Sequence, residues 1–143
     1  MKRHPTLLQL SREHYSALKL ARDARRSAES GEASGITALA QRVSGLFATE
    51  IDLHFRVEEQ GILALLAQSG EHALVARTLA EHAELRRLAK ELATPGAQTL
   101  LDFADLLTAH VRFEEREVFE AAQARFPVDA DAISDASSPL VRN

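Results

Sequence analysis

The chain has 143 residues, of which 45% are hydrophobic and 27% are charged, so it can form one folded domain with a buried core. It contains no cysteine, which excludes disulfides, thiolate metal sites and iron–sulfur clusters. The formal net charge is −4, with both signs mixed along the chain, which argues against nucleic acid or an anionic membrane as a partner. Because no stretch approaches the roughly 20 apolar residues of a membrane span and no signal peptide is evident, we expect a cytoplasmic protein.

The first half of the chain shows apolar residues at helical spacing, and strand formers are scarce throughout. Residues 1–10 are predicted to form an N-terminal arm that carries His4 at the surface. The first helix is predicted to run from about Arg12 to near Gly31, where a glycine-rich loop follows. The second helix is predicted over residues 36–68.

The second half repeats this arrangement. A third helix is predicted over residues 71–93, and the breaker Thr94-Pro95-Gly96 separates it from a fourth helix over residues 98–125. Four helices joined by short loops predict an all-α fold, an antiparallel up-down-up-down four-helix bundle, over residues 11–126. Residues 127–143 are rich in Asp, Ser and Ala and are predicted to form a flexible C-terminal tail.

One motif occurs twice, as HFRVEE in the second helix and HVRFEE in the fourth. It pairs His54 with Glu58 and His110 with Glu114. Four residues advance a helix by about 400°, so both side chains of each pair lie on one face, a turn apart. Both pairs also fall on the apolar stripe of their helix. An imidazole nitrogen and a carboxylate oxygen can then converge on a metal ion.

The first and third helices each add one histidine to an apolar stripe, His14 and His82. A single such histidine is usually a core residue with a satisfied hydrogen bond. Together with the two motifs they bring six polar side chains to the core, where a structural hydrogen-bond network is possible but a metal site satisfies all six groups. The candidate ligands are His14, His54, Glu58, His82, His110 and Glu114. The second acids of the motifs, Glu59 and Glu115, fall outside the stripes, and Glu59 is expected to face solvent.

Imidazole and carboxylate donors without thiolate suit iron, manganese or zinc. Two carboxylates that bridge suit two ions, although a single zinc ion with some of these ligands stays open. Six protein ligands cannot saturate two six-coordinate iron ions. Positions therefore remain for water, hydroxide, oxide or a small ligand such as dioxygen, peroxide or nitric oxide.

Taken together, His14 in SREH, His82 in EHAELR and the two motifs resemble the hemerythrin-like, or HHE cation-binding, family over roughly residues 10–126. The resemblance implies a non-haem di-iron centre with an oxo or hydroxo bridge, in which Glu58 and Glu114 bridge the ions. Oxygen carriers of that family have a further histidine where this chain has Arg86, and end the fourth-helix motif with His-x4-Asp. We expect Arg86 to pair with a carboxylate beside the site.

Glu50, one turn before His54, is a candidate replacement ligand or acceptor for an imidazole N–H, and Tyr15 is a weaker candidate for the same role. A purely structural role for both side chains is the alternative, and it is the one that we favour. Neither side chain is counted among the six candidate ligands.

Three functions fit these residues. The first is a protein that binds or senses dioxygen, peroxide, nitric oxide or iron, as a monomer or a homodimer. The second is a di-iron oxidase or peroxidase, although the Glu-x-x-His motif of ferritin-like bundles is absent from the chain. The third is a metal-free helical interaction module. The sequence favours a metal-binding or sensing protein over a dedicated enzyme.

Overall fold

The structure is a computed structural model that describes residues 3–125, and all of its regular elements are helical. Four helical rods follow one another, and two of them contain a π-helical turn. The rods are α1 (Pro5–Ser30); α2 (Ala33–Leu46), a π turn (Phe47–Ile51), α3 (Asp52–Gln60) and α4 (Ile62–Gln68); α5 (His72–Glu91); and α6 (Ala97–Phe113), a π turn (Glu114–Val118) and α7 (Phe119–Arg125). No strand occurs within the described residues. The predicted tail, residues 127–143, lies outside them.

The first helix begins earlier than predicted, at Pro5 and not near Arg12. Proline suits the first position of a helix, where no backbone N–H is needed. The side chain of His4 caps this end, because its Nδ1 accepts a hydrogen bond from the backbone N–H of Thr6 at 3.1 Å. His4 is also buried, and its backbone N–H donates to Oε1 of Gln123 at 2.7 Å. The predicted surface position of His4 is therefore wrong, and most of the predicted arm belongs to α1.

The second rod, predicted as one helix, is interrupted twice. A π turn holds one more residue than an α-helical turn, so the inward stripe is displaced between the two sides of Phe47–Ile51. Further along, Gly61 leaves helical geometry with φ −103° and ψ −99° and separates α3 from α4. The glycine that is costly inside a helix thus marks a break in this one.

The contacts of α1, and of Arg3 just before it, show in which direction the fourth rod runs. Arg3 binds Glu120, His14 binds Glu115, and Arg25 binds Asp105. Residue numbers therefore rise along α1 while they fall along its neighbour. The second and third rods show the same relation, since Glu59 meets His82 and Asp52 meets Arg86. This order is consistent with the predicted up-down-up-down bundle.

Two apolar clusters make up the buried core of the described residues. The larger includes Phe55 and Phe103, and the smaller includes Leu7 and Phe119. Both clusters touch the polar residues at the centre, because Phe55 stacks on His82 and Phe119 stacks on His14. The polar centre is thus walled by apolar side chains on two sides.

Among the described residues, no helix combines the length and the apolar character that crossing a membrane requires. The cytoplasmic location stays a prediction.

Candidate metal centre

All six predicted ligand residues are buried, none more than 6% exposed, and the fold brings them together. They form two overlapping groups in which the donor atoms lie within 4.8 Å of one another. One group contains His14 and His54, the other contains His82 and His110, and both groups contain the same two carboxylates. These shared carboxylates belong to Glu58 and Glu114. Each of the four rods therefore contributes one imidazole to the centre.

Each shared carboxylate presents one oxygen to each histidine pair. Oε2 of Glu58 lies 3.0 Å from Nε2 of His54, while its Oε1 lies 3.1 Å from Nε2 of His82. In the same way, Oε1 of Glu114 lies 3.0 Å from Nε2 of His14, and its Oε2 lies 3.3 Å from Nε2 of His110. A carboxylate that divides its oxygens between two nitrogen pairs has the arrangement of a bridging ligand.

Four atoms at this point are buried and lack a hydrogen-bond partner within residues 3–125. They are Oε1 of Glu58, Nε2 of His82, Nε2 of His110 and Oε2 of Glu114. Although the contacts of 3.1 and 3.3 Å between them are short, neither has hydrogen-bond geometry. Buried polar atoms of a native protein are almost always satisfied, so four orphans at one place point to a missing partner that accepts several lone pairs at once. A cation is such a partner.

Every imidazole of the centre donates from Nδ1 to a carboxylate on a neighbouring rod, and each of these contacts is 2.7 Å long. The pairs are His14 with Glu115, His54 with Glu13, His82 with Glu59, and His110 with Glu81. A hydrogen bond at Nδ1 fixes the tautomer and aims the Nε2 lone pair at the centre, as outer partners of metal-bound histidines do.

Sequence reasoning missed these four outer acids, and the expected solvent position of Glu59 is wrong, because Glu59 accepts from His82. A signal exists in the sequence, because each outer acid directly follows a shared carboxylate or directly precedes a central histidine. Glu13 and Glu81 stand next to His14 and His82, and the other two complete the Glu-Glu doublets.

Three of the four outer acids are held by an arginine and the fourth by an amide. The pairs are Glu115 with Arg3, Glu81 with Arg77, Glu59 with Arg86, and Glu13 with Gln9. The expected pairing of Arg86 with a carboxylate beside the site is confirmed. Within residues 3–125, neither Glu50 nor Tyr15 contacts an imidazole of the centre. Both side chains are exposed, that of Tyr15 to 81%. The acid that accepts from His54 is Glu13. Glu50 lies inside the first π turn, where the inward stripe changes phase.

The carboxylates dominate the electrostatics of the centre. Burial by itself lowers the pKa of an imidazole, yet the carboxylates of Glu114, Glu58 and Glu59 raise the pKa of His82 to about 10. The pKa of His110 rises to about 9 for the same reason, despite its burial, since Glu114 and Glu81 surround it. Burial tends to raise the pKa of Glu114, but its histidine neighbours hold that pKa well below the ordinary value. The centre is therefore built to attract positive charge.

The imidazoles are also fixed by ring packing. The ring of Phe55 stacks on that of His82, with centroids 3.8 Å apart and an angle of 10° between the planes. Phe119 stacks on His14 at 5.3 Å and 9°. Aromatic faces keep the rings in place and exclude water from the wall behind them.

Comparison with known proteins agrees with this geometry. The family model described as the hemerythrin HHE cation binding domain matches residues 7–122. No curated protein matches the chain. No solved structure matches it either.

Proposed function

Because this chain belongs to the hemerythrin HHE cation-binding domain family, we propose that it binds two iron ions at the centre described above. His14 and His54 would hold one ion, and His82 and His110 the other. Glu58 and Glu114 would bridge them. The single observation that carries the proposal is that each shared carboxylate presents one oxygen to each histidine pair.

The number and arrangement of the donors support two ions over a single zinc ion. Imidazole nitrogens and carboxylate oxygens suit iron, manganese and zinc, and the chain offers no thiolate that would favour softer ions. A single zinc ion takes four ligands in a closed structural site. It would use one of the two groups and leave the two imidazoles of the other group without a metal ion. Two ions satisfy both groups.

A metal-free interaction module is the weakest of the three functions. It would have to leave four buried polar atoms of Glu58, His82, His110 and Glu114 unsatisfied, and each such atom costs about 1–3 kcal/mol. Within the described residues, no favourable contact requires these four atoms to stay unsatisfied.

Bound iron would supply coordination positions for dioxygen, peroxide or nitric oxide, because six protein ligands do not fill two octahedral ions. The residues of the chain do the remaining work. The outer acids hold the Nδ1 protons, and Phe55 and Phe119 shield the rings. All four imidazoles and all four outer acids are engaged in this way, which leaves none of them as an uncommitted general acid or base. This supports a binding or sensing role, and oxidase or peroxidase activity is the second candidate.

Elemental analysis of the full chain after iron-replete expression tests the proposal. We expect about two iron ions per chain and the near-ultraviolet absorption of an oxo-bridged diferric pair. A protein that retains no metal contradicts the proposal and favours the interaction module, while one zinc ion per chain contradicts the iron assignment. Steady turnover of peroxide, in place of one stoichiometric event, identifies an enzyme.

A further inference from the structure

A cavity of about 450 Å³ lies between α1, the second rod and α6. Its walls are mainly apolar and include Ala17, Leu20, Leu46, Ile51, Leu107 and Val111. His14, His54 and His110 also line it, so the cavity reaches the proposed metal centre. Exposed polar and charged residues form its opening, namely Glu13, Ser16, Lys19, Arg42, Thr49 and Glu50.

The size of this cavity does not match the ligands considered so far. Dioxygen, nitric oxide and hydrogen peroxide each need about the space of one or two water molecules, roughly 30 Å³ apiece. The cavity opens to solvent between exposed residues, so a molecule can enter it from solution. Its volume falls in the range of pockets that bind organic molecules.

The cavity also breaks the internal symmetry of the centre. It is lined by both histidines of one pair, whereas His82 of the other pair is fully buried and covered by Phe55. The π turn Phe47–Ile51 supplies part of its wall and stands just before His54. The corresponding stretch before His110 is regular α-helix within α6. The π turn of the fourth rod, Glu114–Val118, follows His110, so the two π turns stand on opposite sides of their motif histidines. Such turns often mark functional sites.

We propose that this cavity binds an organic molecule with an apolar body and a single oxygen-bearing headgroup, and that the headgroup points towards His14 and His54. This inference rests on the proposed function and names the class of molecule that would reach the metal centre. The inner walls, formed by Ala17, Leu20, Leu107 and Val111, offer no side-chain hydrogen bonds to water, so an apolar body displaces water there favourably. The apolar body therefore lies against the apolar walls of the cavity, and the headgroup lies near His14 and His54.

Titration with 2-phenyl-2-propanol tests the proposal, because this alcohol has an apolar body and one hydroxyl group. Calorimetry on the full chain as purified, and again after treatment with a chelator, measures its binding. We expect saturable binding in both preparations and a shift of the absorption band of the metal pair when the alcohol is saturating. Absence of saturable binding, or an unshifted band, contradicts the proposal.

Two substitutions place a phenyl ring in the cavity. Ala17→Phe fills the interior, and Ser16→Phe blocks the opening from an exposed position that tolerates substitution. We expect each to weaken binding of the alcohol at least about tenfold, which is about 1.4 kcal/mol. Ala73→Phe makes the same exchange on the exposed face of α5, away from the cavity, and serves as the control. Equal affinity in all three variants overturns the assignment.

Metal analysis of the same preparations separates the two proposals. A protein that holds two iron ions but does not bind the alcohol contradicts only the cavity assignment. A protein that binds the alcohol but no metal contradicts the proposed function, and the assignment of the cavity to a metal centre is overturned with it.

Discussion

The guanidinium group of Arg86 donates to both carboxylate oxygens of Glu59, at 2.9 and 3.2 Å. Glu59 in turn accepts from Nδ1 of His82 at 2.7 Å, and Arg86 also binds Asp52. The pKa of Glu59 falls to about 2, because the hydrogen bonds from His82 and Arg86 outweigh the effect of burial. The position of the Glu59 carboxylate, and through it the orientation of His82, is thus held by an arginine that occupies the position of the further histidine in oxygen carriers.

Arg86→Gln is expected to weaken metal binding by the His82 pair up to about 10-fold, because Arg86 acts through Glu59 and the loss of a direct outer partner typically costs about 10- to 100-fold. Metal affinity measured by competition with a chelator checks this. Arg87→Gln is the matched control, because Arg87 is the next residue and pairs with Glu84 and Glu91 on the surface. Equal losses in both variants would show that the effect is not specific to the Glu59 contact.

Glu58→Gln is expected to lower the metal content of the chain from about two ions to less than one, because a bridging carboxylate serves both ions. The thermal stabilisation that added iron gives the apoprotein should shrink in parallel, since it follows from binding to the folded state. Elemental analysis and thermal melts measure the two effects. Glu117→Gln, at an exposed position of the second π turn, should leave both unchanged. Full metal content in Glu58→Gln would rule out a bridging role.

The apoprotein and the metal-loaded protein are expected to respond to pH in opposite directions. The folded-state pKa values of His82, about 10, and His110, about 9, lie above the ordinary value near 6.5. Their contribution to apoprotein stability is therefore complete below about pH 6.5 and is lost as pH rises towards about 10. The carboxylates that face these imidazoles are Glu58, Glu59, Glu81 and Glu114.

Metal binding needs neutral imidazoles, so cations displace protons and their affinity rises over the same pH interval. Thermal melts of both forms between about pH 6 and about pH 10 measure the two trends. Apoprotein stability that increases over this interval would contradict the electrostatic description. The control is His72→Ala, which removes an exposed histidine and should leave both trends unchanged.

His4→Ala is expected to destabilise the protein by about 1 kcal/mol, the usual cost of losing a helix N-cap. The imidazole of His4 accepts the backbone N–H of Thr6 at the start of α1. Urea unfolding of the wild type and the variant measures the difference. His72→Ala lies near the start of another helix, α5, but at an exposed position without a capping hydrogen bond, and should cost less. Equal costs would show that capping by His4 is not significant.

Much of the centre could be predicted from local periodicity. The spacing of His54 and Glu58, and of His110 and Glu114, depends only on the pitch of a helix, and the apolar stripes showed which face turns inward. The family resemblance, drawn from the same residues, is confirmed over residues 7–122. The pairing of Arg86 with a carboxylate could also be predicted, because a guanidinium group cannot bind a cation.

Two features of the structure lie beyond the local pattern. The minor alternative that placed Glu50 beside His54 assumed a continuous α-helix, whereas the π turn Phe47–Ile51 changes the phase of the second rod. The roles of Glu59 and Glu115 were missed because both residues lie outside the stripe of their own rod. Their partners lie on neighbouring rods, where His82 and His14 face them.

By itself, the sequence determined that four imidazoles and two carboxylates turn towards one core, because that follows from the repeat of a single helix. Which acid holds which imidazole depends on the packing of the rods. So does the position of the cavity, which His14, His54 and His110 border while Phe55 covers His82. Those relations depend on the rotation and the axial offset between rods. Packing across the whole bundle sets both quantities, and no local pattern contains them.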